Sequence, residues 1–415
     1  MSLVKTSLLN GIGLAIKLVM TLLTNKVIAF FFGPTGLAIY GQFQSLLTLV
    51  VGLAAAPGQN GIVRLTAANQ DNPDVLHQYW SAALKAILLL SGTLAVLGVI
   101  ISSFLAKYIL NQPDLAGVLI VFFVTLPASP ILILLLSCAN GLADIRSYVF
   151  ISILITLVTG IATMIGVLAY GMSGVIFAIS VAQIVSLILS SIYLKSRKWF
   201  LFSYFFYGFS KKTLDDIFSL ASMAFASVFC APLVQIAIRY DMTSLLGLQA
   251  VGYWQAVSRL GDMYIVLITS LLAVYYLPRF SKTHDVKILR KDIKDFFLKV
   301  YPLFVLGYLG IIFFKEKIIV LIYSSEFLPA AYLMNWQMYS DLTKMFAWLT
   351  GYLFIARGAP KFFVFTELFV GILLVFLAGL FVRSYGTVGV LYASTLVNLI
   401  YCTALIFNLV RSGKI

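Results

Sequence analysis

The sequence predicts an all-α integral membrane protein, and three observations predict it. Hydrophobic residues make up 61% of the 415 positions and charged residues only 11%, a balance outside the range of soluble domains. Apolar stretches of about 20 residues, enough to cross a bilayer, recur along the whole chain. Basic residues crowd onto alternate connections between them. Backbone groups inside hydrocarbon must be satisfied within the segment, so such stretches read as helices.

Twelve transmembrane helices are predicted, at 6–32, 37–63, 81–103, 115–138, 148–170, 173–194, 217–240, 250–277, 296–314, 330–356, 362–382 and 387–410. The first is read as a retained span. It is too long for a cleaved signal peptide, is interrupted by Lys17, and is followed by no small-residue cleavage site. With the N-terminus inside, nineteen basic residues fall at inner helix ends and only four, Lys107, Lys315, Lys317 and Arg383, at outer ends. The positive-inside rule therefore places both termini in the cytoplasm and accounts for the net charge of +14 without nucleic acid. Cys138, Cys230 and Cys402 fall in or beside spans and are expected to pack as small hydrophobes.

The strongest break in the pattern is KSRKWFLFSYFFYGFSKKT, basic at both ends and aromatic between. It divides the chain into an N-lobe of six helices (1–195), a linker (196–213) and a C-lobe of six helices (214–415). The linker is expected to lie at the membrane interface, aromatic rings at headgroup level and cations on the anionic leaflet. A second basic stretch, 279–299, spaces Ile288, Leu289, Ile293, Phe296 and Phe297 as one face of an amphipathic surface helix. The halves echo each other faintly: LAIYGQ opens the second span and AVGYWQ the eighth. With six spans in each half this suggests a parallel repeat, the arrangement of transporters that rock around a site between their lobes.

Charges within the spans point to function. Lys17, Arg259, Asp262, Asp341 and Lys344 sit near mid-span, where an ionised group costs roughly 2.5–3.5 kcal/mol on insertion scales. At about 1.5 Å per residue, Arg259 and Asp262 lie about 13–18 Å from the outer end of the eighth span. Arg259 and Asp262 are three residues apart, as are Asp341 and Lys344. Each couple shares a helix face, so intrahelical ion pairing and lining of a cavity are both open readings. Lys17, Lys26 and Lys85 have no acidic partner within helical reach. Lys17 and Lys26, nine apart, point to opposite faces, while Lys85 and Arg64 are placed to snorkel at inner ends. Glu367 is expected to pair with Arg357 or Lys361, or to bind a proton or cation. Arg239 and Asp241 close the seventh span and are expected to be solvated at the outer surface.

The excess of cations favours an anionic substrate, and phosphate or diphosphate suits arginine especially. Tyr253, Trp254, Trp336 and Trp348 lie near the same level; helix packing is their first reading and stacking on sugar rings the second. There is no GxxxxGK[ST] loop, no HExxH and no Cys/His cluster, and the two histidines, His77 and His284, fall in predicted loops.

Several strings resemble the Wzx-type flippases of lipid-linked oligosaccharides, in the multidrug/oligosaccharidyl-lipid/polysaccharide exporter superfamily. They are FGPTGLAIYGQFQ, QDNPDVL, VGYWQAVSRLGDMY, YLPRFSK and WQMYSDLTKMFAWLTGYLFIARGAPKFFVFTE. The similarity spans nearly the whole chain and is nearest to the O-antigen and enterobacterial common antigen branch. It implies two six-helix lobes around a central cationic cavity and transfer of undecaprenyl-diphosphate-linked sugars across a bacterial inner membrane. Lys17, Lys26, Arg64, Arg259 and Lys344 are the expected substrate-binding cations. Asp262, Asp341 and Glu367 are expected to serve ion coupling or salt bridges, and Trp254, Gln255, Trp336 and Gln337 to contact sugar. Position 259 departs from the common-antigen pattern, where a small polar residue is expected, and this bears on which glycan is carried. H+ or Na+ is the expected coupling ion, a polysaccharide polymerase and a chain-length regulator are candidate partners, and no cofactor, metal or nucleic acid is expected. Two other function classes make different demands on the sequence. A cation-coupled multidrug exporter of the same superfamily calls for an acidic or neutral cavity; a membrane glycosyl-polymerase calls for a large outer loop, and every predicted outer loop is short.

Overall fold

The computed structural model describes residues 3–276, 279–280, 286–356 and 360–411. Lys282, His284, Arg357 and Lys414 lie outside these residues, and the side chains of Lys5, Lys287, Arg290, Lys361 and Arg411 are likewise outside the described set. Among the described residues all regular structure is helical, as the composition predicts. Seven helices there are long and apolar enough to cross a membrane by length and composition; one of these runs 60 residues and another 50.

Both long runs are bent, and glycine makes the bend. The first run, Leu9–Ala68, contains most of α1 (Leu3–Ala55), which breaks at Gly33, whose φ of 59° and ψ of −161° suit a residue without a side chain. A Cβ there would meet Glu326 Oε2 at 2.7 Å. Pro34 follows, and its fixed φ suits the first turn of the next helical arm. After α2 (Asn60–Ala68) come α3 (Pro73–Ile100), α4 (Ala116–Thr125), α5 (Ala128–Gly141) and α6 (Ile145–Leu194). α6 breaks at Tyr170 and Gly171, φ 63° at the glycine, and its two arms meet so closely that a Cβ on Gly166 would lie 2.3 Å from the Gly174 carbonyl. Asn72 caps α3 and Asp144 caps α6, each accepting from a backbone N–H in the first turn.

The remaining helices are α7 (Lys211–Leu246), α8 (Leu248–Leu271), α9 (Val286–Asp295), α10 (Tyr301–Phe313), α11 (Lys315–Ile322), α12 (Ala331–Ala356), α13 (Pro360–Tyr385) and α14 (Val388–Arg411). The chain forms two compact units, Met1–Phe31 with Gln42–Leu233, and Phe32–Gly41 with Val234–Ile415. The division falls within α7 just past Pro232, where the ring removes a helical hydrogen bond.

In the first unit the aromatic linker is built into the core, which a purely interfacial reading does not anticipate. Phe200 and Phe205 are buried with Trp80, Cys138, Ile151 and Leu194. Trp199 Nε1 donates to Asp144 at 3.0 Å, Tyr207 OH to Asp74 at 3.0 Å, and Ser81 Oγ to the Tyr207 carbonyl at 2.7 Å. His77 stacks on Tyr204 at 3.8 Å. Leu201, Phe202 and Phe206 remain exposed. Lys85 holds its ammonium 4.6 Å over the Phe209 ring of the linker. Partial burial works against charge on Asp144, but hydrogen bonds from Ser147 and Trp199 and the nearby Arg197 bring its carboxyl below the ordinary carboxylate value.

In the second unit α14 packs along both α12 and α13, and α12 also meets α8. Residues 32–41 belong here because α8 presents Gly252 to them: a Cβ on it would fall 1.9 Å from the Pro34 carbonyl. The basic stretch after α8 forms α9, which turns Leu289 inward onto a core with Phe280, Phe296 and Met345. Arg279 and Asp292 pair there at 2.7 Å. All three cysteines are buried thiols.

Candidate functional site

α8 and α12, both in the second unit, carry four of the mid-span charges, Arg259, Asp262, Asp341 and Lys344, and the part of α7 that lies in the second unit adds Arg239; none of these helices is among the seven long, apolar ones found among the described residues. Their polarity is concentrated in two adjoining groups. The first is centred on Arg239 of α7. Arg239 is 5% exposed, and its guanidinium donates to Gln255 Oε1 from Nε at 3.1 Å and from Nη2 at 2.6 Å. It lies 5.4 Å over the Trp254 ring. Arg239 feels the charges of Arg259 and Asp262 one to two turns further along α8. Tyr323 closes this group, donating to the Ala256 carbonyl at 2.8 Å and stacking on Phe327.

This corrects the expectation that Arg239 is solvated at the outer end of its span. Two residues are about 200° of helix rotation, so Arg239 faces inward while Asp241 faces elsewhere and stays partly exposed. Trp254 and Gln255, expected sugar contacts, are 4% and 1% exposed and are engaged by Arg239 instead. Arg259 is half-buried and Asp262 exposed.

The second group is centred on Asp341 of α12, 1% exposed. Tyr264 of α8 donates its hydroxyl to Asp341 Oδ2. Gln337, one turn earlier on α12, donates its amide to both carboxylate oxygens at 3.0 Å. Gly261 admits the carboxylate: a Cβ there would stand 2.9 Å from Asp341 Oδ2. Lys344 does not reach Asp341; its ammonium sits 5.0 Å over the Trp348 ring. Among the described residues, then, neither Arg259 with Asp262 nor Asp341 with Lys344 closes to an ion pair. Trp336 packs edge-on against Tyr392 at 4.7 Å. Glu367 stands apart on α13, within electrostatic reach of Tyr401. Lys17, Lys26 and Arg64 belong to the first unit and are exposed.

Among the described residues the guanidinium of Arg259 and the ammonium of Lys344 close no salt bridge to a carboxylate, and such groups have the chemistry that receives phosphate oxygens. Residue patterns had placed Arg239 at the outer surface and had not singled out Tyr264, Tyr323 or Gly261. The one signal for Tyr264 was its spacing three residues past Gly261, which puts both on one face of α8.

Residues 3–284 match the model of the polysaccharide biosynthesis protein family. The chain belongs to that family. It is 26% identical over 410 residues to the Lipid III flippase of Escherichia coli (strain K12), an alignment covering 97% of this chain and 96% of that protein. Its fold matches that of a multidrug resistance MATE family transporter of the MOP superfamily in an inward-facing conformation. The TM-score is 0.82 at 14% identity over 96% of each chain. It also matches the Lipid II flippase MurJ in an inward closed conformation, with a TM-score of 0.73 at 16% identity over 98% of this chain and 87% of that one. Family and fold together bear out the multi-pass membrane protein that the sequence predicted, with a fold shared with those transporters.

Proposed function

We propose that this chain is a flippase of lipid-linked oligosaccharide. It carries an undecaprenyl-diphosphate-linked glycan, an O-antigen unit or an enterobacterial common antigen repeat, from the cytoplasmic to the periplasmic leaflet of a bacterial inner membrane. The observation that carries this reading is the near-full-length relation to a Lipid III flippase. The cations support it: Arg259 and Lys344 lie in the second unit and, among the described residues, close no salt bridge to a carboxylate, which suits them to a diphosphate. Lys17, Lys26 and Arg64 serve the same substrate from the first unit.

In this reading twelve spans form two lobes, 1–195 and 214–415, joined by the linker 196–213, with both termini cytoplasmic. The headgroup enters from the cytoplasm, the polyprenyl tail stays in lipid, and alternating access delivers the glycan outside. Trp336 and Gln337 contact sugar, with Trp254 and Gln255 beside them. A proton or Na+ gradient drives the cycle through Asp262, Asp341 or Glu367. A polysaccharide polymerase and a chain-length regulator receive the product.

The test is surface glycan in a flippase-deficient bacterium expressing this chain, across several O-unit and common-antigen backgrounds. Restoration in one background is expected and names the glycan. No restoration anywhere, with the protein present in the membrane, overturns the reading; resistance to cationic dyes in the same cells would then favour drug export.

A further inference from the structure

Along α13 the large apolar residues Phe365, Phe369, Ile372, Phe376 and Leu380 are all exposed. Steps of three and four residues set them on one face of the helix, and in a membrane protein a continuous exposed apolar face meets the acyl chains of lipid. Two exposed tyrosines, Tyr385 at the end of α13 and Tyr240 near the end of α7, mark the level of the headgroups, where amphipathic rings collect. At that level α7 and α13 line a crevice of 370 Å³, within the range of about 300–1,000 Å³ that holds small ligands. Phe376 and Leu380 belong both to the exposed face and to the crevice wall, so the crevice continues the surface that lipid covers.

The wall is apolar except for two charges, Asp241 of α7 and Arg383 of α13. Asp241 is half-buried and Arg383 exposed. Among the described residues neither closes an ion pair, with the other or with a third group. Gly379 leaves the carboxylate its room: a Cβ there would stand 3.0 Å from Asp241 Oδ2. One crevice thus offers an acceptor for a cation and a donor for an anion, held apart. A carboxylate accepts from an ammonium, and a guanidinium donates to phosphate oxygens. A phospholipid with a primary-amine zwitterionic headgroup carries both groups on a short linker, above acyl chains that suit the α13 face. A purely anionic headgroup meets repulsion at Asp241, and a quaternary ammonium has no N–H to donate there. Arg239, two residues earlier on α7, turns away to Gln255 and Trp254, so the crevice is separate from the charged groups around α8 and α12.

We propose that the crevice between α7 and α13 binds a phospholipid of the ethanolamine type, its ammonium on Asp241, its phosphate on Arg383 and an acyl chain along Phe376 and Leu380. Bound there, the lipid bridges the ends of the two helices. This site rests on the membrane character of the chain, and on neither the glycan carried nor the direction of transport.

The test is native mass spectrometry of the purified, delipidated full chain, titrated with one lipid at a time: phosphatidylethanolamine, phosphatidylcholine, phosphatidylglycerol and undecaprenyl phosphate. Phosphatidylethanolamine is expected to fill one site ahead of the others. It should bind about tenfold more weakly to Asp241→Asn and to Arg383→Gln, the loss of one charge-assisted hydrogen bond in each. Asp241→Asn should also lose the preference over phosphatidylcholine, because the amine is read at that residue, whereas Arg383→Gln should weaken both lipids together. Gly379→Leu fills the crevice and should remove the site with both charges in place. Where a variant fails to fold, the order of lipids on the wild type decides alone. Equal binding of phosphatidylethanolamine and phosphatidylcholine by the wild type overturns the proposal, as does tighter binding of phosphatidylglycerol or undecaprenyl phosphate. Undiminished phosphatidylethanolamine binding by folded Asp241→Asn, Arg383→Gln or Gly379→Leu overturns it as well.

Discussion

Carboxylates bonded to aromatic side chains occur in both units, with opposite consequences. In the first unit Asp74, Asp144 and Asp216 accept from Tyr207, Trp199 and Tyr79, each at 3.0 Å. These acids lie at helix ends and connections, where water shares the work of solvating them, and each bond braces the linker or α7 onto α3 or α6. In the second unit Asp341 accepts from Tyr264 by the same chemistry, yet it is 1% exposed and mid-span. One kind of bond is a brace where the carboxylate stays charged at little cost. Where the carboxylate is buried, the same bond must offset the cost of a charge held away from water. Burial, rather than residue type, makes the difference.

The comparison can be broken first at Arg239. Arg239→Ala removes a buried guanidinium and orphans Gln255. It should lower stability in detergent by about 2–3 kcal/mol, the cost of a buried charged hydrogen bond, and abolish export; a thermal unfolding curve unchanged from wild type would show that the second unit does not depend on its buried charge. Arg259→Ala and Lys344→Ala come next. Both should lose export while inserting normally and unfolding like the wild type, because among the described residues neither ion-pairs with a carboxylate. Full export by both would sink the substrate-cation assignment.

Sharper tests follow in the first unit, where effects should be on stability alone. Asp144→Ala loses the α6 cap and the Trp199 bond and should cost about 1–2 kcal/mol, with export retained in proportion to the protein that remains folded. Trp199→Phe removes one donor and should cost about 1 kcal/mol. The smallest effect is a pH dependence. The Asp144 carboxyl is held below its ordinary value of 3.8 in the folded state. Its stabilisation is therefore complete at neutral pH and fades as the pH falls through the folded value. Unfolding compared between wild type and Asp144→Asn should show a gap at pH 7 that closes under acid.

Much of the fold was legible in the sequence. The apolar lengths gave helices, and the breaks near residue 33 and residue 171 fall where the predicted spans change over. Period and spacing could not say which side of α7 faces the core. Arg239 and Asp241 read alike as the polar end of a span, although their side chains diverge in three dimensions. Nor could spacing decide whether residues three apart on a helix pair with each other. Asp341 bonds Tyr264 and Gln337, and Lys344 prefers the Trp348 face; the competition between those partners exists only once α8 and α12 are packed. The packing of part of the linker into the core of the first unit was hidden for a related reason. Its aromatic density suits an interface and a core equally well, and the acceptors Asp74 and Asp144 that draw it inward lie 133 and 55 residues away in the chain from Tyr207 and Trp199.

By itself the sequence determined the solvent. A chain this apolar must satisfy its backbone internally, so helices and a membrane follow from composition, and charges within spans mark where function lies. Tertiary structure alone decided what those charges do. The cost of a charge depends on the donors and the water within a few ångströms of it, and residues distant in the sequence supply both.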